Sequence, residues 1–169
     1  ITNLNFLEWI LMILNKKLYK QQKQTKKFFE LDASNWEKKS NISKNKILNT
    51  IQERNFYVLD QIKKYKLKSL VDIGCGSGDL SFEASKITNQ STGIDFSKNM
   101  IKIAKKNFKR KNLNFFYQNF FDFNPTNKFE CLSANGFIEY ISLDDINNFL
   151  RISKNIVKKN KYIVFGTRN

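Results

Sequence analysis

The sequence predicts an α/β fold, a doubly wound, mostly parallel sheet with helices on both faces, preceded by N-terminal helices. Short apolar runs that resemble buried strands alternate along the chain with amphipathic stretches. One such run ends in Asp72 and is followed by three alternating glycines, Gly74, Gly76 and Gly78. Another ends in Asp95, 17 residues after Gly78. This alternation predicts βαβ units and a parallel sheet.

The length of 169 residues corresponds to one domain, since domains commonly hold about 100–200 residues. Within it we expect an N-terminal helical cap and entry segment over residues 1–66 and a cofactor-binding core over residues 67–169. The chain has no histidine, which excludes histidine metal sites, serine–histidine triads and histidine bases, and we expect no structural metal. The two cysteines, Cys75 and Cys131, form no C-x-x-C pattern, which is typical of a reducing cytoplasm.

The net charge of +15 has two interpretations. Heavy use of lysine (26 residues) and asparagine (22) against four arginines is typical of an AT-rich genome. The lysines are scattered along every segment, which favours codon bias and solubility as the explanation. The alternative is an anionic partner, either nucleic acid or an anionic membrane.

The N-terminal segment carries leucines at helical spacing, followed by lysines. The leucines are Leu4, Leu7, Leu11, Leu14 and Leu18. The apolar run of about 11 residues is shorter than the roughly 20 residues that cross a bilayer. Its charges follow the run, whereas those of a signal peptide precede it. A helix packed on the fold, a membrane-surface helix giving peripheral contact, and the remnant of a longer upstream segment remain alternatives.

The glycine loop, residues 74–78, is the strongest functional signal, because glycine lets backbone approach a ligand closely. Ligands of open α/β sheets bind at the carboxyl ends of the strands. A dinucleotide fingerprint is excluded, since the sixth residue counted from Gly74 is Asp79 and from Gly76 is Ser81. A Walker loop is excluded as well, since no Lys-Ser or Lys-Thr follows Gly78.

The remaining pattern, D-x-G-x-G-x-G, resembles motif I of the class I S-adenosylmethionine (SAM) dependent methyltransferases. The resemblance covers roughly residues 28–169 and implies a Rossmann-like sheet with SAM as cofactor and S-adenosylhomocysteine (SAH) as product. The cofactor-binding residues that it implies in this loop are Asp72, Gly74, Cys75, Gly76 and Gly78.

Residues 91–97 predict a second strand that ends in Asp95. Its offset from the loop is close to the roughly 20 residues at which an acid meets ribose hydroxyls in nucleotide folds. The alternative is that Asp95 caps the next helix, although Ser97 can take that role. The segment resembles motif II of the family, which implies that Phe96 and Met100 pack on the adenine. Plain core packing is the alternative for both.

A third strand with a following turn is expected over residues 112–123. The family usually has an aspartate at the end of this strand, which accepts from the adenine amino group. Here Asn119 stands at that position, followed by Phe120, and its carbonyl oxygen can also accept. Asp122 is the alternative acceptor.

Residues 128–141 resemble the fourth strand and its loop. Glu130 stands where the family has an aspartate, and Tyr140 where it has a histidine. The resemblance implies that Asn135 and Gly136 lie beside the methyl donor. Tyr140 is the one candidate catalytic residue, for orienting the acceptor, while Glu139 is either a second candidate or structural.

The aromatic segment 28–38 resembles the entry segment of small-molecule methyltransferases, quinone-biosynthesis O-methyltransferases among them. Its aromatics either close over the donor or pack on the sheet. A helix is expected over residues 44–65, with its apolar face formed by Ile47, Ile51, Val58, Leu59 and Ile62. A later helix from Leu143 runs into a fifth strand, with Asn160 in a left-handed turn.

The family sheet has two further strands, so we expect a fragment of a longer protein, with an exposed sheet edge that favours aggregation. The predicted activity is SAM-dependent methyl transfer to an oxygen, nitrogen or carbon of a small molecule. Residues 133–137 contain no proline and Pro125 is not followed by cysteine, which disfavours adenine-N6 and cytosine-C5 enzymes. The alternatives are an RNA methyltransferase that uses the basic surface and a non-catalytic methyltransferase-like binding protein.

Overall fold

The computed structural model describes residues 23–33, 35–39 and 49–167 of the chain. The leucine-containing segment 4–18 and Ile47 lie outside these residues. The interpretations that rest on them, including peripheral membrane contact by the first helix, stay predictions.

The centre of the molecule is a five-stranded parallel sheet with the strand order β3-β2-β1-β4-β5. Its strands are β1 (Ser69–Ile73), β2 (Gln90–Asp95), β3 (Leu113–Tyr117), β4 (Phe129–Ser133) and β5 (Val157–Val164). Strand β1 pairs with β2 on one side and with β4 on the other, so the strand order reverses beside β1. Ligands bind beyond the carboxyl ends of strands at such a switch point. The predicted doubly wound α/β fold is confirmed.

Five helices accompany these strands in the described part of the chain. They are α1 (residues 23–33), α2 (Thr50–Lys64), α3 (Asp79–Ser85), α4 (Lys98–Asn107) and α5 (Leu143–Ile156), and residues 35–39 are also helical. Helix α2 begins later than the expected residue 44, because Asn49 and Gln52 form a capping box. The Asn49 side chain accepts from the Gln52 N–H, and the Gln52 side chain accepts from the Asn49 N–H.

Both faces of the sheet are covered, as the alternation of β1 residues shows. Leu70 packs on one face with Ile62 of α2 and Leu80 of α3. Val71 packs on the other face with Phe149 of α5. Helix α2 shares this hydrophobic cluster with β1 and so packs directly on the sheet. The predicted division of the chain into a cap over residues 1–66 and a core over residues 67–169 stays a prediction.

The pairing of β4 with β5 is irregular near the start of β5. Phe129 lies opposite Val157, whereas Cys131 lies opposite Tyr162, so residues 158–161 bulge out of the ladder. Asn160 has a φ of +59°, the left-handed conformation that the sequence predicts. Strands β3 and β5 form the two edges of the described sheet. The expected tendency of a sheet edge to aggregate stays a prediction.

Candidate functional site

The glycine loop between β1 and α3 is fastened to the end of β2 by its backbone. The N–H groups of Gly74 and Cys75 both donate to the Ile94 carbonyl, at 2.9 and 3.0 Å. The Gly76 N–H donates to Asp95 Oδ2 at 2.9 Å. The two motifs that the sequence singles out therefore form one hydrogen-bonded unit at the carboxyl edge of the sheet.

Gly74 and Gly76 keep the loop free of side chains where it faces the neighbouring aromatic rings. Their φ angles are +68° and +54°, values that favour glycine. A Cβ on Gly76 would lie 2.8 Å from Nε1 of Trp36. A Cβ on Gly74 would lie 3.3 Å from the Phe137 ring. At both positions a side chain would fill the space over the loop.

Gly78 serves packing instead. It precedes the first residue of α3 with a φ of +89°, and a Cβ there would lie 2.6 Å from the Phe115 ring and 2.9 Å from the Ala104 side chain. The glycine thus lets α3 approach β3 and α4. Gly78 does not line the cleft over the loop. Its predicted role in binding the cofactor stays a prediction.

A cleft lies over the glycine loop, at the carboxyl ends of β1 and β2. Nine predicted site residues line it: Gly74, Gly76, Asp95, Phe96, Met100, Asn119, Phe120, Asn135 and Tyr140. Its volume of about 100 Å³ is below the roughly 300–1,000 Å³ of small-molecule sites. An aromatic cluster of Phe29, Trp36 and Tyr140 lines part of it, with the Phe29 ring 5.5 Å from Trp36 and 5.2 Å from Tyr140 between centroids. Aromatics of the entry segment thus contribute to the wall of the cleft.

Asp95 is the only carboxylate among the described residues that lines the cleft, and both of its oxygens accept backbone hydrogen bonds. Oδ2 accepts from Gly76 and Oδ1 accepts from the Ser97 N–H at 2.8 Å. Burial raises the pKa of the Asp95 carboxyl to about 6, against the lowering effect of these two backbone donors. Each carboxylate oxygen can accept more than one hydrogen bond, so the group retains capacity for a ligand's hydroxyls.

Phe96 and Met100 form an apolar wall of the cleft next to this carboxylate. Ser97 caps α4, since its Oγ accepts from the Met100 N–H at 3.2 Å. The capping role thus falls to Ser97, while Asp95 ties the loops together. Met100 is buried and Phe96 is half-buried, so Met100 serves the core and the cleft wall at once.

A second, smaller cavity of about 40 Å³ lies on the other side of the glycine loop. It is lined by Arg54 of α2 and by Asp72 and Cys75, together with Asp79. The Arg54 guanidinium lies 3.4 Å from the Glu139 carboxylate, an ion pair that is mostly buried. Gly74, Trp36 and Asn135 line both the cavity and the cleft, so the two spaces adjoin at the loop.

Comparison with known proteins decides the family. A family model described as a methyltransferase domain matches residues 70–160, more than half of the chain. The chain belongs to this methyltransferase domain family. The match confirms the resemblance to class I SAM-dependent methyltransferases that the two motifs indicate.

Curated relatives of this methyltransferase domain are longer than the chain. The ubiquinone biosynthesis O-methyltransferase of Pelagibacter ubique is 28% identical over 160 residues, which cover 88% of this chain. The enzyme of the same name from Pasteurella multocida is 26% identical over 161 residues. The chain spans 65% of the length of each.

Solved structures of methyltransferases share the fold. Magnesium protoporphyrin IX methyltransferase of Synechocystis, crystallised with SAH, superimposes with a TM-score of 0.68 at 13% identity, over 86% of this chain and 71% of that one. The N-methyltransferase NodS of Bradyrhizobium japonicum, also with SAH, gives 0.62 at 14% identity, over 68% and 60%. At these identities the likeness concerns the fold alone.

Of the two candidate acceptors for the adenine amino group, only one lines the cleft. Asp122, the alternative to Asn119, does not line the cleft but faces a separate depression beside Pro125 and Arg151. Asn119 does line the cleft, and its Oδ1 also accepts from the Phe121 N–H at 3.1 Å. Of the two, Asn119 is the polar side chain in the cleft, and its role toward an adenine stays a prediction.

Asp72 and Cys75 lie behind the glycine loop rather than in the cleft. Burial raises the pKa of the Asp72 carboxyl to about 7, although the Ser81 hydroxyl donates to it at 2.9 Å. Burial also raises the pKa of the Cys75 thiol well above its usual range. Both cysteines are free, and among the described residues no cluster of three or more histidine, cysteine or acidic side chains could hold a metal ion.

Arg54 is the residue that sequence reasoning missed. No motif includes it, but it is one of only four arginines beside 26 lysines. Arginine differs from lysine in its planar fork of donors, which suits buried ion pairs and carboxylates. An arginine in a lysine-rich chain, placed on a helix 20 residues before Gly74, is the signal that could have found it.

Proposed function

We propose that this methyltransferase domain binds SAM in the cleft and transfers its methyl group to a small-molecule acceptor. The observation that carries the proposal is the Asp95 carboxylate, oriented by Gly76 and Ser97 beside the apolar wall of the cleft. A ribose calls for an acceptor of two hydroxyl protons, and an adenine for an apolar surface next to it. The site offers both within one turn of chain.

The smaller cavity suits the amino-acid end of the cofactor. It has the Arg54 guanidinium for a carboxylate and the Asp72 carboxylate for an ammonium group. Because the cavity adjoins the cleft at Gly74 and Asn135, a ligand with a nucleoside at one end and a zwitterion at the other fits the pair of spaces. Their lining thus supports SAM better than a nucleoside phosphate.

The acceptor would enter between helix α1 and the loop after β4. Phe29, Phe137 and Tyr140 line this part of the cleft, and their rings favour an apolar or aromatic small molecule. The names of the ubiquinone biosynthesis relatives support the same class of acceptor.

The cytoplasm remains the proposed location of the protein. Among the described residues, no helix is long and apolar enough to cross a membrane.

The bound cofactor would supply a methyl group already activated on a sulfonium. The residues of the chain then have to hold donor and acceptor in line and exclude water, which is worth about 7–11 kcal/mol in favourable cases. The aromatic cluster in the wall of the cleft would exclude water from the bound cofactor. Tyr140, which lines the cleft, would orient the acceptor through its ring and hydroxyl. With no histidine in the chain, a histidine general base is excluded.

The proposal is tested by calorimetric titration of the chain with SAM and with SAH. We expect micromolar binding, on the order of −8 kcal/mol, that Asp95→Ala abolishes. Asp60→Ala, at an exposed acid of α2 far from the loop in sequence, is the matched control and should bind as the parent does. Binding that survives in Asp95→Ala, or a folded parent chain that binds neither molecule, would contradict the proposed site.

A further inference from the structure

Four lysines form a stripe along α4. They are Lys98, Lys102, Lys105 and Lys106, at positions i, i+4, i+7 and i+8. At 3.6 residues per turn this spacing puts them within about 100° of the helix circumference. All four are exposed, whereas Met100, Ile101 and Ala104 on the opposite side are buried. The charge therefore has a local arrangement that composition alone does not reveal.

Helix stability does not explain this stripe. Like charges at i and i+4 destabilise a helix by about 0.2–0.5 kcal/mol per pair. Lysines in the last turn are favourable to the helix dipole, but Lys98 lies in the first turn, where a cation is unfavourable. The sequence has no Asp or Glu between residues 96 and 121. Within the described residues none of the four lysines has an ion pair, whereas Lys86 and Lys158 do.

Helix α1 lies against the start of α4 and carries further exposed lysines. It is attached to α4 by Glu30, whose carboxylate accepts from the N–H groups of Lys98 and Asn99 at 2.7 and 3.1 Å. On the outer side of α1, Lys23 and Lys27 are exposed at i and i+4, and Leu31 follows at i+8 with 76% of its surface exposed. The neighbouring Phe28 is 56% exposed. We define the basic face as the four α4 lysines with Lys23, Lys27, Phe28 and Leu31.

We propose that the basic face binds the surface of an anionic lipid bilayer. Each lysine near such a surface contributes about 1 kcal/mol, and apolar side chains between the lysines enter the boundary of the acyl region. Leu31 favours a bilayer over RNA, because an exposed leucine offers a nucleic acid neither a charge nor a stacking platform. The contact is peripheral and is made by residues that do not line the cleft.

The basic face lies close to the cleft, although binding at the basic face does not require a ligand in the cleft. Phe29, between Phe28 and Glu30 on α1, lines the cleft, so the outer side of α1 and the mouth of the cleft are two sides of one helix. A bilayer bound at the basic face would hold the cleft beside a phase that concentrates apolar molecules. The binding itself needs neither cofactor nor acceptor.

Co-sedimentation with vesicles tests the proposal. We expect the chain to bind vesicles of phosphatidylcholine mixed with phosphatidylglycerol, not phosphatidylcholine alone, and to lose binding as salt is raised. The variant K98Q/K102Q/K105Q/K106Q should bind on the order of tenfold or more weakly. The control K63Q/K64Q/K68Q/K154Q removes the same number of exposed charges elsewhere and should bind as the parent does. Leu31→Ser should weaken binding by a smaller factor.

Three results would overturn the proposal. The first is an equal loss in both quadruple variants, which would indicate net charge alone. The second is retained vesicle binding in the α4 variant. The third is tighter binding to a short single-stranded RNA than to mixed vesicles, lost in the same variant. Thermal melting shows whether each variant folds, and SAH titration reports the cofactor site separately, so failure of one proposal is distinguishable from failure of the other.

Discussion

The Asp95 carboxylate accepts a hydrogen bond from the Gly76 backbone N–H at 2.9 Å, and this bond joins the ends of β1 and β2. It gives Asp95 two functions at once. The carboxylate orients the glycine loop, and its remaining acceptor capacity faces the cleft. Loss of the side chain should therefore weaken cofactor binding both by removing a ribose contact and by loosening the loop.

Cofactor affinity should fall in mildly acidic solution. Burial raises the pKa of Asp95 to about 6, so the carboxyl gains a proton below that pH and loses acceptor capacity for the ribose hydroxyls. Calorimetric titration with SAH between pH 5 and 8 should show affinity decreasing in two steps as the pH falls, near 7 for the Asp72 carboxylate and near 6 for Asp95. Asp95→Asn, which cannot titrate, should bind weakly and lack the step near 6. A parent affinity that is constant over the range contradicts the assigned role.

Stability should respond to pH through Asp72. Its pKa is about 7 in the folded chain against 3.8 ordinarily, so the folded state holds a proton that the unfolded state releases. This contribution to stability is present below about pH 4 and is lost as the pH rises through 7. Asp72→Asn should therefore be more stable than the parent at pH 8, by roughly 4 kcal/mol at most, and similar at pH 4. Urea unfolding at the two pH values measures the difference, and an equal effect at both would rule out titration as its cause.

Gly78→Ala should destabilise the fold more than Gly136→Ala. Both glycines have positive φ, so both changes carry the backbone cost of about 1–2 kcal/mol. At Gly78 the new Cβ also collides with Phe115 and Ala104, which adds about 1–3 kcal/mol. At Gly136 it meets only the end of the Arg54 side chain, at 3.3 Å. Chemical denaturation measures both losses, and equal losses would show that the packing argument is wrong.

The fold could be predicted largely because its signals are local. Strands β1, β3 and β4 contain short apolar runs, and the acids near the ends of β1 and β2 mark the sheet edge. The start of α2 was placed too early because helical spacing continued before Asn49, whose capping box decided the boundary. The left-handed conformation of Asn160 was predictable, since asparagine tolerates a positive φ.

The site was only partly predictable, because no local sequence pattern indicates which residues from distant parts of the chain lie close together in the fold. Gly78 carries the motif spacing that points to a ligand, yet a side chain at that position would collide with Phe115 and Ala104. Arg54 comes from a helix that precedes the motif, and only the packing of α2 on β1 brings it to the glycine loop. The stripe of lysines on α4 was obscured by the high lysine content of the whole chain.

Trp36 should move when the cofactor binds. The Trp36 Nε1 lies 2.8 Å from the position that a Cβ on Gly76 would take, so its ring lies directly over the glycine loop. The volume of the cleft, about 100 Å³, is too small for the cofactor unless lining side chains such as Trp36 move. The chain has two tryptophans, so Trp9→Phe leaves Trp36 as the sole tryptophan, which is excited selectively at wavelengths that tyrosine does not absorb. SAH should then shift its emission with a midpoint that matches the calorimetric affinity. Calorimetric binding without any change in emission would show that the aromatic cluster does not cover the cofactor.

A crystal structure of the chain grown with SAH tests the central claim most directly. The account predicts the ribose hydroxyls within hydrogen-bond distance of the Asp95 carboxylate, the adenine against Phe96 and Met100, and the amino-acid end beside Arg54. SAH bound elsewhere, or bound in the cleft with its ribose away from Asp95, would contradict it.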